Sequence, residues 1–253
     1  MNESPETVPA PDSAYVLPPD CVAFYADYQD DRSRLTTFFR FFTVIPHVIW
    51  VTIYGIGAGF VVICAWFAIV FTARFPAGLY DFLVGYQRYY TRVYAYEWLV
   101  TDKFPPFNGN GDERYAAHFL IGPPKPQYSR ALTFFRLFLL IPFALVAYVL
   151  QAVLQLAGIA AWFVIVFTGK QPRGLQDAMN FSYGYLVRFA AYSLLMTEDW
   201  PKFTDDAVTR ALQEHGYPGV IPPPEVSGAL MQPGAQQPPY PPAPPAPPAP
   251  PAV

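Results

Sequence analysis

Two stretches of this chain, residues 41–73 and 137–169, contain no Asp, Glu, Lys or Arg. Uncharged apolar runs beyond about 18 residues predict membrane-spanning helices. A chain of 253 residues has little capacity to hide two such runs in a water-soluble core. Each run is followed by a segment of different pattern. In LYDFLVGYQRYYTRVYAYEWLV (residues 79–100), Asp81, Gly85, Arg88 and Arg92 fall on one narrow stripe of a helix. Asp177, Gly184 and Arg188 occupy the same stripe after the second run. Tyr86, Tyr89, Tyr90, Tyr94, Tyr96 and Trp98 supply the aromatic residues that favour the headgroup zone. An amphipathic helix lying along the cytoplasmic membrane surface is predicted in each place.

The pattern is written twice. AWFAIVFTARFPAGLYD (residues 65–81) returns as AWFVIVFTGKQPRGLQD (residues 161–177), 96 positions later. RLTTFFRFFTVIP (34–46) and RALTFFRLFLLIP (130–142) keep that offset. So do Arg92, Tyr96, Leu99, Thr101, Pro105 and Phe107 with Arg188, Tyr192, Leu195, Thr197, Pro201 and Phe203. Asp102 meets Glu198, preserving the charge. The expected organisation is an acidic disordered tail (1–31), a first membrane module (32–107), a linker (108–129), a second membrane module (130–203) and a proline-rich disordered tail (204–253).

The doubled phrase suggests how each apolar run ends. Thr72 or Thr168 can bond the chain as the helix closes, and Arg74 or Lys170 can meet lipid phosphates. Pro76 or Pro172 suits the first turn of a new helix. Gly78 or Gly174 permits close approach, and Asp81 or Asp177 complements the helix's positive end. The fold class expected is an all-α membrane protein of two tandem modules. Each is a transmembrane hairpin, or one long span, followed by an amphipathic interfacial helix. As one helix, residues 35–72 would extend about 57 Å against about 30 Å of hydrocarbon. Basic residues flank both ends of both runs, which places both ends on one side. A hairpin satisfies this, with turns near YGIGAG (54–59) and LQAVLQ (150–155). The alternative is a short interfacial helix ending at Pro46 or Pro142 and then one tilted span. Gly55 and Gly59, at small-xxx-small spacing, and Gln151 and Gln155, at the same places, are candidates for helix packing between modules.

Charge and candidate chemistry narrow the function without naming it. Charged residues make up 14% of the chain, against roughly 25% in soluble domains. No basic block suggests nucleic-acid binding. The N-terminal segment is acidic and has no apolar core of a secretory signal, so the apolar runs are expected to direct insertion. Cys21 and Cys64 have no partner at metal or redox spacing, and Cys64 reads as a small packing residue. His47, His118 and His215 meet Phe143, Glu214 and Phe119 in the repeat register. No nucleophile elbow, phosphate loop or metalloprotease motif occurs. Neither a catalytic residue, a cofactor nor a metal site is expected. Arg74, Arg88, Arg92, Lys170, Arg173 and Arg188 are the candidate contacts to lipids or partners.

The R-x-x-T-F-F-R lead-in, Ile45-Pro46, the F-T-x-x-x-P-x-G-L phrase and the TDKFPPF exit (101–107) resemble the bacterial membrane proteins grouped as domain of unknown function 4389. TEDWPKF (197–203) departs from that exit in the second module. The resemblance implies a bacterial membrane location and no activity; with the hairpins that the flanking charges favour, the expectation is a multi-pass plasma-membrane protein whose tails are cytoplasmic. Three roles follow as expectations. The first choice is a scaffold or accessory subunit docking partners at the inner membrane, the proline-rich tail recruiting cytoplasmic proteins. The others are a transporter or channel component, and a protein that binds the lipid surface.

Overall fold

Ser33 opens the first long helix by accepting a hydrogen bond from the Thr36 amide at 3.3 Å, and Ser129 does the same for Leu132 at 3.4 Å. Between the Ser33 cap and Ala73 nothing stops the first helix. In the computed structural model, which describes residues 19–26, 28–109 and 115–203, the first run is a single helix α1 (Arg34–Thr72) of 39 residues. The second is a short α3 (Arg130–Phe134), one non-helical residue, and α4 (Arg136–Thr168) of 33 residues. The hairpin turns expected at 54–59 and 150–155 are absent, and α1 does not end at Pro46 nor α4 at Pro142. A glycine costs an α-helix only about 1 kcal/mol, too little to break so long an apolar run. Each proline stands in the exposed face of its helix.

Both long helices end in the same device. The residues Ala73 and Gly169 are left-handed and send their amides back to Ile69 and Ile165. Thr72 Oγ1 donates to the Ala68 carbonyl at 2.6 Å and accepts from the Arg74 amide at 3.2 Å; Thr168 repeats both bonds with Val164 and Lys170. The chain then reverses after Pro76 and Pro172 into α2 (Ala77–Glu97) and α5 (Arg173–Ser193). Each packs back along its own long helix.

A two-stranded antiparallel sheet, β1 (Val22–Ala26) with β2 (Ala117–Ile121), completes the fold. It corrects two expectations: residues 22–26 of the acidic tail and 117–121 of the linker are ordered strand, so the chain is not all-α. Phe24 faces Phe119 across the ladder, and β1 packs on α5 while β2 packs on α2. Helices α2 and α5 therefore lie between the long helices on one side and the sheet on the other. The proline-rich tail lies outside the described residues.

The two modules exchange contacts head to tail. Arg34 donates to the Thr168 carbonyl at 3.0 Å, and Phe38 packs on Trp162. At the other end Trp66 donates to the Thr133 carbonyl at 3.0 Å and packs on Phe134. The long helices are therefore antiparallel. The Tyr128 amide bonds the Ala73 carbonyl at 2.8 Å, and the Arg32 amide bonds Gly169 at 2.9 Å. Each doubled phrase thus ends in a socket that receives the lead-in of the other module.

Arg40 locks the first module. Its guanidinium, 3% exposed, donates to the carbonyls of Tyr96 at 2.7 Å and Thr101 at 2.8 Å, pairs with Asp102, and lies over the Tyr96 ring. Arg136 repeats this with the Thr197 carbonyl at 3.0 Å and the Tyr192 ring. Asp102 and Glu198 also accept the amides of the capping serines, Ser33 and Ser129. Removing one partner of a buried ionic cluster costs about 3–5 kcal/mol, against at most about 1 kcal/mol for an exposed pair. Arg40→Ala is accordingly expected to lower the melting temperature in detergent far more than Arg34→Ala, measured side by side by scanning fluorimetry.

Candidate membrane-facing surface

The long helices bury one face only. On α1 the buried positions Thr37, Arg40, Val44, His47, Val51, Ala58, Ala65 and Ile69 share a side that meets α2 and the core. The opposite side presents Phe42, Ile49, Ile56, Phe60, Phe67 and Phe71, all exposed. On α4 the exposed side holds Phe138, Leu145, Leu156, Ile159, Phe163 and Phe167. No charged residue interrupts either face between 41 and 73 or between 137 and 169. Water-soluble monomers rarely expose contiguous apolar patches beyond a few hundred Å²; here two whole helices do so.

The polar groups lie on the other side or at the ends. Exposed basic residues mark the helix termini: Arg34, Arg74, Arg130, Lys170 and Arg173. Arg173 also lies over the Tyr28 ring at 4.6 Å. Lys170 makes an isolated bridge with Asp31. Arg74, Lys170 and Arg173 are thus placed where a phosphate could reach them.

Arg92 is not. It is 5% exposed, beneath the Tyr115 ring, because the sheet covers the side of α2 that the sequence pattern left open. Arg88 and Arg188 are half-buried, and Arg188 reaches the Phe203 carbonyl at 3.4 Å. The expected aromatic belt is also largely interior, with Tyr89 and Tyr96 fully buried. Asp81 lies beyond the first turn of α2, and Asp177 beyond that of α5; neither first turn holds an acid. A side chain added at Gly78 or Gly174 would meet nothing within 4 Å, so neither serves a close approach.

The candidate packing positions divide. Gly55 closes on Tyr86 of its own module, where a Cβ would come within 3.1 Å of the hydroxyl. Gly59 touches nothing within 4 Å. Gln151 lines a cavity of about 630 Å³ between the modules, and Gln155 lines another of about 570 Å³ beside Trp162. Cys64, expected to pack, is exposed.

Several buried groups escaped the sequence reading. His47 is enclosed: its Nδ1 shares a 2.8 Å hydrogen bond with the Tyr89 hydroxyl and its ring stacks on Phe107. His118 stacks on Tyr25 across the sheet, and His215 lies outside the described residues. Arg32 donates to the Val100 carbonyl and to Gln176 Oε1, both at 3.2 Å, and burial lowers its pKa to about 10. Glu97 has no counterpart acid in module two, where Ser193 stands; burial raises its carboxyl above the usual range. Among the described residues no three His, Cys, Asp or Glu gather as a metal site.

Two helices, each long and apolar enough by length and composition to cross a membrane, joined to return helices in a duplicated unit, define a mostly helical tandem-repeat protein. A family model, domain of unknown function DUF4389, matches residues 34–108 and 130–205. These make up more than half of the chain, which belongs to that family as two tandem copies. No curated protein and no solved structure matches it.

The two glycines of the small-xxx-small pair should respond oppositely. Gly59→Ala is expected to be neutral or to stabilise by up to about 1 kcal/mol, the gain in helix propensity. Gly55→Leu should displace Tyr86 and lower the melting temperature by several degrees, as read by thermal denaturation in detergent.

Proposed function

We propose that this chain is a monotopic membrane protein whose function is to bind one leaflet. Helices α1 and α4 lie in the plane of the bilayer, and the sheet layer faces water. The observation that carries this reading is the row of exposed large apolar side chains along one side of both long helices over their whole length. Of the roles compatible with the sequence, lipid-surface binding is the one this distribution favours.

The alternative of a spanning α1 meets three costs. A helix of 39 residues is about 58 Å long, nearly twice the hydrocarbon thickness of about 30 Å. Phe82 packs on Tyr54 and Gly57 near the middle of α1, so its neighbour, the exposed Asp81, would sit near the bilayer centre. A charge there costs at least about 2.5–3.5 kcal/mol. The sheet, with unpaired edges among the described residues, would lose its hydrogen-bonding solvent wherever hydrocarbon reached it. An in-plane helix avoids all three. It also lets the basic residues at both helix ends meet phosphates of the same leaflet, as their distribution requires.

Depth measurement separates the two geometries. With single cysteines at Phe42, Ile56 and Phe71 carrying an environment-sensitive probe, in-plane α1 gives three similar shallow depths by lipid-borne quenchers. An impermeant thiol reagent should then reach a control cysteine at Leu120 from the same side as cysteines at Arg34 and Arg74. Labelling of residues 34 and 74 from opposite sides of the vesicle would sink the proposal.

A further inference from the structure

We propose that the cleft where α1 and the end of α2 meet α4 binds the protonated amine of an amphiphile, with Glu97 as its counter-ion. The cleft has a volume of about 570 Å³, within the range of small-molecule sites. Glu97 lines it from the last position of α2, and the exposed Gln155 lines it from the middle of α4. No cation pairs with Glu97 among the described residues. Its Oε2 is enclosed and unbonded, whereas Oε1 is unbonded but not enclosed. Burial alone raises its carboxyl above the usual range. An acid drawn away from water is ordinarily paired, because its charge is costly to desolvate. This one lacks a positive partner.

The duplication supplies a control. A second cleft, of about 250 Å³, is built from the equivalent positions of the other module, with Ile63, Trp66, Leu137 and Ser193 standing for Ile159, Trp162, Phe41 and Glu97. There the acid is gone. In the same register Leu194 replaces Trp98, and Gly59 replaces Gln155. The indole N–H of Trp66 is taken up by the Thr133 carbonyl at 3.0 Å, whereas that of Trp162 is neither bonded nor enclosed among the described residues. Trp98 lies against Gly158, where a Cβ would come within 3.2 Å of its ring. These differences gather in the larger cleft, and each adds a polar or aromatic group to it. A scaffold repeated for packing alone has no need of this division.

The walls select the charge of the ligand. Besides Glu97, the charged side chain lining the cleft is Arg40. Its Nη1 donates to the carbonyls of Tyr96 and Thr101, its Nη2 pairs with Asp102, and its Nε is enclosed. It has no reachable donor for an anion, and Asp102 offsets its charge. The reachable charge is therefore negative. An ammonium would donate to Glu97 Oε1 and to the amide oxygen of Gln155, and the indole rings of Trp98 and Trp162 attract a cation through their π-systems. Phe38, Phe41 and Ile159 are exposed lining residues, and Phe38 packs on Trp162. They supply contacts for an apolar body and open the cleft to the apolar surface of the long helices.

The inference rests on the in-plane reading only for how the ligand arrives, from the leaflet; its binding is tested without a bilayer. Two sources share the chemistry, a single-chain amine and a phospholipid with an ethanolamine head. The full chain in non-ionic detergent is titrated with octylamine, dihexanoylphosphatidylethanolamine, octanol and octanoate. Native mass spectrometry reads the stoichiometry and calorimetry the affinity. One or both amines should bind saturably at a single site, about tenfold or more tighter than octanol and octanoate; the tighter of the two identifies the source. Glu97→Gln keeps the shape and removes the charge. It should weaken amine binding about tenfold or more without lowering the melting temperature, since it takes away an unpaired acid. Ser193→Ala, at the equivalent place in the smaller cleft, should leave binding unchanged. Failure of both amines to saturate, equal binding of octanol or octanoate, unchanged affinity in Glu97→Gln, or an equal loss in Ser193→Ala would overturn the proposal. Each of these results leaves the depth measurements untouched.

Discussion

A guanidinium buried at the start of each long helix, bonded to the carbonyls that end the return helix, determines how the rest of the molecule can be arranged. Arg40 reaches Tyr96, Thr101 and Asp102, and Arg136 reaches Thr197. Asp102 also holds the capping Ser33, and Glu198 holds Ser129 in the second module. Because the end of α2 is tied to the beginning of α1, α2 must run antiparallel along the first half of its partner. That half then has a covered face and an open one. Ion pairs of this kind add little net stability over an apolar replacement, but a broken one is expensive. Their value here is in excluding any arrangement in which the return helix swings away.

Once each module is closed in this way, their mutual docking follows from the doubled phrase. The left-handed residue after Thr72 or Thr168 turns one carbonyl outward, and the opposite module's lead-in takes it. Two sockets and two lead-ins fix an antiparallel pair. The strands that precede the lead-ins are then brought together, and they pair with Phe24 opposite Phe119. Long helices, return helices and strands are stacked in that order, so among the described residues the outer side of the first layer is where most of the large exposed apolar side chains lie.

Much of this was legible in the sequence. The repeat, its offset, the two long helices and the amphipathic segments after them all follow from periodicity and charge. Thr72 and Thr168 close their helices as expected. The basic residues at both ends of each run suggest one side for both ends. Folding the run into a hairpin is one solution, and Gly55 and Gly59 invited it, but a glycine is a weak helix breaker inside thirty-nine apolar-rich positions. The other solution, the in-plane helix proposed above, needs knowledge of what covers its second face. Only tertiary packing supplies that. The strand at Val22–Ala26 is five residues long, and its partner lies some ninety-five positions away, so no local pattern announces it. Arg92 was misplaced for the same reason. Helical periodicity finds the face turned from α1; it cannot find the sheet that covers that face.

The unequal halves of the repeat argue further about what has been kept and what has been released. The clamps, caps and sockets are nearly duplicate: Arg40 with Arg136, Ser33 with Ser129, Thr72 with Thr168, Asp102 with Glu198. All of them hold the two-fold arrangement together, and each has its bonding counterpart in the other half. The departures gather elsewhere. Gln87 and Tyr183, Tyr94 and Ala190 all border the space between the modules, as does Gln151, which stands where module one has Gly55. His47 against Phe143 borders His47's own enclosed aromatic nest. A duplicated fold needs its symmetric bonds to close, so change there would cost stability in both halves at once. The interior between the modules carries no such constraint. It is where the two copies can differ in bulk and polarity without loosening either, and that is how an asymmetric cavity can arise inside a symmetric frame.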